Sequence, residues 1–153
     1  MRKREERNLP VIRGKDYVEE MLPHRDPMRL IDSVEELVPE KSIAASFYVD
    51  PGREIFKGHF PGNPILPGVY TVECMGQASS ILAADMDRYY QKTPLFFGID
   101  HVRLVKKVLP GSTLRIYSTL EKENQEKGIL TFQSQVKCED VIVASGTVTI
   151  AMR

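Results

Sequence analysis

The sequence contains little cysteine and has no excess of either charge. Its two cysteines, Cys74 and Cys138, form no CxxC pair and have no histidine at metal-ligand spacing. They suggest neither a zinc site nor a disulfide framework, so a reducing cytoplasm is the compartment expected. Lysine and arginine number 21 together, as do aspartate and glutamate. Because nucleic-acid-binding domains normally carry a basic excess, nucleic acid is not an expected partner.

A long apolar run is also missing. The most apolar stretch, residues 65–84, is interrupted by Glu73, Gln77 and two serines, which argues against a membrane span. The charged start MRKREERN has no apolar segment of the kind that signal peptides carry. We interpret residues 1–13 as a flexible N-terminal tail and residues 14–153 as one domain, because this length supports one core and not two.

Hydrophobic periodicity predicts an α+β fold. Alternating patterns indicate strands over residues 28–38, 41–50, 95–108, 112–122, 129–138 and 141–152. A short helix is expected over residues 16–22 and a long one from 68 to about 91, apolar on several sides as buried helices are. Short polar turns between the later strands favour antiparallel pairing. The expected architecture is a long central helix wrapped by a curved antiparallel sheet of about six strands.

Two further structural expectations follow from the pattern. Residues 51–67 hold four prolines and three glycines, a density that predicts a stiff loop without regular structure. One curved sheet over one helix leaves an edge strand and part of the helix uncovered. Because pairing two copies would cover both, we expect a homodimer.

The chemistry-bearing residues cluster around this loop. His59 lies between prolines and glycines that fix the backbone, and Glu73 lies in the second turn of the buried helix. An unpaired buried carboxylate costs several kcal/mol, so Glu73 needs a partner or a wet cavity. An imidazole beside a buried carboxyl is the arrangement that acid/base chemistry requires. Pro67 and Gly68 suit the start of a helix, whose free N–H groups stabilise a carbonyl oxygen that becomes negative.

Each of these residues also has a purely structural interpretation. His59 would then only stabilise its loop, and Glu73 would form a salt bridge across the core, for example to Arg103. Gln77 follows Glu73 by one helical turn, where it either orients the carboxyl or satisfies a buried loop carbonyl. The residues alone leave these alternatives open.

Several separated motifs together resemble one known family. They are LPHR at residues 22–25, GHFPG at 58–62 with PG at 67–68, ECMGQ at 73–77, and GID at 98–100 followed by Lys107, Pro110 and Gly111. In this order and spacing, over residues 16–152, the chain resembles the FabZ-type 3-hydroxyacyl-acyl-carrier-protein dehydratases of the hotdog fold. The resemblance implies dehydration of a (3R)-3-hydroxyacyl thioester to the trans-2-enoyl thioester in fatty acid biosynthesis.

The resemblance also implies roles for individual residues. His59 would remove the C2 proton, and Glu73 of the other subunit would protonate the departing hydroxyl. The backbone N–H of Gly68, with Val69 beside it, would bind the thioester carbonyl. Further substrate contacts are expected from Phe60, Ile65, Leu66 and Gln77. No cofactor and no metal are expected.

The same resemblance predicts the partners. The substrate would arrive on the 4'-phosphopantetheine arm of an acidic acyl carrier protein, for which Arg103, Lys106 and Lys107 are candidate docking residues. These three residues would otherwise form only a solvated strand edge. The family likeness suggests a hexamer built from three dimers.

The chain departs from the family pattern at two places. Asp26 stands where an aromatic residue is common, and Cys74-Met75-Gly76 replaces a more usual Ala-Met-Ala. Both departures concern acyl-chain preference more than reaction type. The alternatives are a noncatalytic acyl-binding hotdog protein, a hotdog thioesterase, and a dehydratase that also isomerises the enoyl product.

Overall fold

The computed structural model describes residues 12–153. The helices are α1 Lys15–Met21 and α2 Gly68–Ala84, and short 3-10 turns occupy Glu54–Lys57 and Asp87–Tyr89. The strands are β1 Ser33–Val38, β2 Ser42–Tyr48, β3 Pro94–Leu104, β4 Thr113–Asn124, β5 Ile129–Cys138 and β6 Val141–Met152. In chain order, the long helix α2 therefore lies between β2 and β3.

All six strands form one antiparallel sheet in the order β1-β2-β4-β5-β6-β3. Helix α2 packs against β2, β4, β5 and β6. Its residues from Cys74 to Ala84 are buried, among them Met75, Ile81 and Leu82. The α+β prediction of a central helix wrapped by a curved antiparallel sheet is confirmed.

The sheet has one buried face because apolar residues occupy alternate positions. Along β5, Leu130, Phe132 and Val136 are fully buried, while Gln133 between them is exposed. The hairpin from β5 to β6 turns through Glu139 and Asp140, both of which have positive φ. A two-residue hairpin loop with positive φ at both central positions matches the twist of the flanking strands. This turn therefore fixes the register that points the apolar residues at α2.

Most predicted bounds differ from the structure by a few residues, and β3 ends at Leu104 and not at residue 108. The first strand begins at Ser33, not at residue 28, because the N–H groups of Leu30 and Ile31 bind the side chain of Gln77. The loop over residues 51–67 contains the 3-10 turn Glu54–Lys57, so the prediction of no regular structure was wrong there.

The long helix ends at Ala84 and not near residue 91. After a short connection, Arg88 donates two hydrogen bonds to the carboxylate of Glu123, and the hydroxyl of Tyr89 donates a third to it. These bonds attach the segment after α2 to the far end of β4. The apolar pattern continues past Ala84, so periodicity alone extended the helix too far.

The predicted N-terminal tail falls mainly on residues 1–11, which lie outside the described residues. Arg13 pairs with Val34 through two backbone hydrogen bonds of 2.8 Å, one in each direction. Residue 13, which the prediction assigned to the tail, is therefore paired to β1. Cys74 and Cys138 are both free thiols. Among residues 12–153, no helix is both long and apolar enough to cross a bilayer.

Strand β3 is an edge strand with an uncovered apolar surface. It pairs with β6 on one side, and its other side has no strand partner among residues 12–153. Leu95, Phe97, Ile99 and Leu104 are all at least half exposed, and Phe97 is 65% exposed. We call these four residues the β3 patch. Contiguous exposed apolar side chains of this size mark interaction surfaces in folded proteins.

Candidate active site

The loop before α2 holds His59 in a fixed orientation. Its Nδ1 lies 2.7 Å from the carbonyl oxygen of Ile65, and its ring stacks on Phe60 with centroids 3.9 Å apart. The N–H of Ile65 binds the carbonyl of His59 in return. Because a carbonyl only accepts, Nδ1 carries the proton of the neutral ring. The lone pair is then on Nε2, where it is available to take a proton from another molecule.

The loop joins α2 in a way that brings the helix start close to His59. The N–H of buried Leu66 binds the carbonyl of Val108 at 2.9 Å, and Pro67 is the N-cap of the helix. The N–H groups of Gly68 and Val69 belong to the first turn, which has no acceptors within the helix. The positive end of the helix macrodipole adds to their attraction for a negative oxygen.

Gly68 lets Leu104 pack closely on the start of α2. A Cβ at this position would lie 2.3 Å from Cδ1 of Leu104, closer than two carbon atoms approach, so the leucine side chain would have to shift. Glycine therefore allows the end of β3 to pack directly on the start of α2.

His59 and Gly68 share one small cavity of about 210 Å³. Its other lining residues are Ile65, Leu66, Thr71, Leu104, Lys106, Lys107, Val108 and Val143. The cavity thus combines a proton acceptor, helical N–H donors, apolar walls and two cationic side chains. Pockets for small ligands usually measure about 300–1,000 Å³, so this cavity is smaller than a typical ligand pocket.

Glu73 is half-buried on the second turn of α2, with 19% of its side chain exposed. Its Oε1 accepts a hydrogen bond of 2.9 Å from Nε2 of Gln77, and Nε2 of His24 lies 3.7 Å from the same oxygen. The partner considered from sequence, Arg103, is exposed on β3 and forms no ion pair with Glu73 within the described residues. That structural alternative for Glu73 is therefore wrong.

Gln77 positions Glu73 and a loop at the same time. It is 1% exposed. Its Nε2 donates to Glu73 and to the carbonyl of Met28, while its Oε1 accepts from the N–H groups of Leu30 and Ile31. Gln77 therefore does both things considered from the sequence: it orients the carboxyl of Glu73, and it satisfies a carbonyl of the loop. The predicted substrate contact through Gln77 is corrected, because both amide hydrogens are already bound and the side chain is buried.

Burial shapes the titration of two neighbours of Glu73. Burial lowers the pKa of His24, and the charge of Glu73 opposes this shift. Burial also raises the pKa of Cys74, with Glu73 acting in the same direction. The thiol beside the site therefore stays protonated and is a poor nucleophile, since the thiolate is the reactive form.

Within one chain the structure does not join the two predicted catalytic residues. Among residues 12–153, no hydrogen bond or ion pair connects His59 with Glu73, and Glu73 does not line the cavity of His59. Phe60 and Val69 lie exposed near His59, and Val69 is 71% exposed. Within one chain, His59 with Gly68 and Glu73 therefore occupy two separate places and do not form one site.

The candidate docking residues divide into two groups. Lys106 and Lys107 line the cavity of His59, whereas Arg103 is an exposed residue of β3 that does not. Sequence reasoning missed the contacts of His24 with Glu73, although His24 lies in the quoted LPHR motif. Among residues 12–153, no group of three or more His, Cys, Asp or Glu residues is arranged to hold a metal ion.

Comparisons with solved structures agree with the fold. The chain is similar to the dehydratase heterocomplex ApeI:P of Xenorhabdus doucetiae, with a TM-score of 0.75 and 20% identity over 89% of this chain and 90% of that one. It is also similar to a hypothetical thioesterase protein with coenzyme A from Streptococcus pneumoniae TIGR4, with a TM-score of 0.60 and 9% identity over 90% and 94%. At these identities the likeness concerns the fold alone. The fold is therefore the hotdog fold expected from the sequence.

The sequence comparisons show the family. Residues 22–147 match the FabA-like domain family. The chain is 47% identical over 105 residues to the 3-hydroxyacyl-[acyl-carrier-protein] dehydratase FabZ of Oenococcus oeni, covering 69% of this chain and 76% of the relative. It is 37% identical over 130 residues to the FabZ of Lactobacillus helveticus, covering 85% and 86%. The chain belongs to the FabA-like domain family and, within it, to the FabZ group of 3-hydroxyacyl-[acyl-carrier-protein] dehydratases.

The hydrogen bonds of Gln77 generate a stability prediction. Replacing Gln77 with leucine keeps the volume but leaves the buried carbonyl of Met28 and the N–H group of Leu30 without partners. We expect the free energy of unfolding to fall by about 3 kcal/mol or more. Chemical denaturation measures this change. Gln133→Leu, on the exposed face of β5, is the matched control and should change it by less than about 0.5 kcal/mol. Equal small effects in both variants would contradict the assigned role.

Proposed function

We propose that this chain dehydrates (3R)-3-hydroxyacyl-[acyl-carrier-protein] to trans-2-enoyl-[acyl-carrier-protein] in fatty acid biosynthesis. The observation that carries the proposal is the shared cavity of His59 and Gly68, in a chain up to 47% identical to FabZ relatives. In the part of the chain that the structure describes, the imidazole of His59 and the first residue of α2, Gly68, line the same cavity, and this supports the proposal. Those two elements are what removal of a proton next to a thioester carbonyl requires.

The active site is proposed to form between two protomers. His59 and Gly68 of one protomer would face the partner's Glu73 across the apolar β3 patch. The exposed side chains of Phe60, Val69 and Leu104 support this pairing, because a second chain would bury them and enlarge the cavity. A trimer of such dimers is the assembly that the family likeness suggests.

The first half of the reaction removes the C2 proton. Nε2 of His59 takes this proton while Nδ1 stays bound to the carbonyl of Ile65, which keeps the ring in place. The electrons of the C–H bond move toward the thioester carbonyl, whose oxygen becomes negative. The N–H groups of Gly68 and Val69 stabilise that oxygen, and a preorganised donor of this kind is worth about 3–4 kcal/mol of barrier in other enzymes.

The second half of the reaction expels the hydroxyl. Hydroxide is a poor leaving group, so a protonated carboxyl must donate to it, and the partner's Glu73 is the proposed donor. The C3–O bond breaks as the C2=C3 bond forms, and water leaves. His59 then releases the C2 proton to solvent and Glu73 takes up a proton from solvent, which restores both groups.

The substrate's two ends would meet different surfaces. Ile65, Leu66 and Phe60, with residues 95–99 of β3, are proposed to contact the apolar acyl chain. Lys106 and Lys107 line the cavity mouth and Arg103 lies on the same edge, so they are proposed to attract the phosphopantetheine phosphate and the acidic carrier protein.

The reaction type is tested by incubating the pure protein with a short 3-hydroxyacyl thioester and with its trans-2-enoyl counterpart. Because dehydration leaves the thioester bond intact, we expect reversible interconversion, followed by ultraviolet absorbance, with no free thiol. Release of thiol would identify a thioesterase, and no change in either substrate would identify a noncatalytic acyl-binding protein. A shift of the double bond to C3, detected by mass spectrometry of derivatised product, would add isomerisation.

The shared site is tested by mixing two inactive variants. His59→Ala and Glu73→Gln should each lose nearly all dehydratase activity, since each removes one proton-transfer group. Refolded together, they form mixed dimers in which one site keeps both residues. Random pairing then restores about a quarter of the wild-type activity. If each site used His59 and Glu73 of one chain, mixing would restore nothing, and full activity in both single variants would refute the roles themselves.

Carrier docking is tested by charge reversal. Lys106→Glu should lower kcat/KM for the carrier-bound substrate about tenfold at low salt, and more than it lowers kcat/KM for a small thioester. The salt dependence for the carrier-bound substrate should shrink as well. Lys122→Glu, an exposed residue of β4, is the control and should leave both substrates unchanged. Equal losses for the two substrates would show that Lys106 does not serve docking.

A further inference from the structure

The carboxyl of Glu73 has two different oxygens. Oε1 accepts the hydrogen bond from Gln77 and faces Nε2 of His24 at 3.7 Å. Gln77 is itself fixed by three further hydrogen bonds, so it cannot turn away. Among residues 12–153, no hydrogen bond or ion pair reaches Oε2 of Glu73, because Gln77 and His24 both approach Oε1. Oε2 is therefore the oxygen left free to meet a substrate hydroxyl.

His24 is held in a neutral state by its surroundings. Its Nδ1 is buried and has no hydrogen-bond partner among residues 12–153. A charged ring needs a proton on both nitrogens, and a proton on Nδ1 would be a buried donor without an acceptor, which is costly. The single proton of the neutral ring is then on Nε2, the atom that faces Glu73. At 3.7 Å this contact is longer than a hydrogen bond but well within the range of direct charge interaction.

We propose that His24 is a positioning residue for Glu73, whose neutral imidazole beside Oε1 leaves the acid proton on Oε2 for the substrate hydroxyl. The inference rests on the proposed dehydratase function and adds a residue that acts through Glu73 without touching substrate. A cation at this place would stabilise the carboxylate and withhold the proton. The neutrality of His24 is therefore part of what makes Glu73 an acid.

The titration of His24 agrees with this geometry. Burial lowers the pKa of His24, and the charge of Glu73 is the opposing influence. The other charged groups on the surrounding segments are Glu19 on α1, Arg25, Asp26, Arg29 and Asp32 around the loop, and Arg53 before α2. Each of these has another partner: Arg29 pairs with three carboxylates, and Arg53 donates to the carbonyl of Pro27. Among these groups, Glu73 is therefore the one whose charge acts on the pKa of His24.

The test compares His24→Gln with His24→Lys, a neutral and a permanently charged side chain of similar reach. The pH dependence of kcat/KM is measured with a small 3-hydroxyacyl thioester, and thermal unfolding shows that each variant folds. In the glutamine variant, the fall of kcat/KM at high pH should stay near its wild-type position. In the lysine variant, this fall should begin at least about one pH unit lower, because a cation within 4–6 Å lowers the pKa of a carboxyl by about that much or more. On the alkaline side of the profile, kcat/KM of the lysine variant is then about tenfold below that of the wild type. It recovers as the pH is lowered, with KM unchanged.

Identical pH profiles in the glutamine and lysine variants would overturn the proposal, because a purely structural residue would not distinguish their charge. A measurement independent of turnover uses carbon-13 NMR of the Glu73 carboxyl. In the wild type its titration should show a second inflection where His24 takes up a proton, and His24→Gln should lack it. An unchanged single titration in both proteins would overturn the proposal even if the lysine variant fails to fold. Absence of dehydratase activity in the wild type would instead refute the proposed function.

Discussion

The hydrogen bonds of one buried amide connect the catalytic helix to the rest of the site. Gln77 is the point at which α2, the loop over residues 28–31 and the carboxyl of Glu73 meet. Without it, the loop would have no acceptor for its N–H groups and β1 would lose its approach to the sheet. Fold stability and carboxyl orientation therefore depend on the same four contacts. A helix that is otherwise apolar tolerates Glu73 because this network satisfies one of its oxygens.

His59 and Glu73 lie in two different surroundings of one chain. His59, in the loop before α2, lines the cavity at the start of that helix, while Glu73, on its second turn, has its partners in Gln77 and His24. The proposed dimer would bring the two residues together, since the exposed β3 patch includes Leu104, which lines the same cavity. Assembly and chemistry would then use one interface.

The sequence predicted the fold class well because the fold depends on periodicity. The strand over residues 129–138 was predicted to the residue, since strict alternation and flanking polar turns mark both of its ends. The end of α2 was not, because the apolar pattern runs on while the bonds of Arg88 and Tyr89 to Glu123 redirect the chain. Those bonds join residues more than thirty positions apart, which no local pattern reports. The contact of His24 with Glu73 escaped prediction for the same reason, because the two residues are distant in sequence, whereas Gln77, one helical turn from Glu73, was a candidate partner.

Gly68 and Leu104 pack closely where the edge strand meets the start of α2. A side chain at position 68 would meet the leucine methyl group, so the half-exposed Leu104 would have to turn to another rotamer to admit it. Enlarging position 68 is therefore expected to push Leu104 toward solvent and loosen this junction, which forms one wall of the cavity that His59 lines.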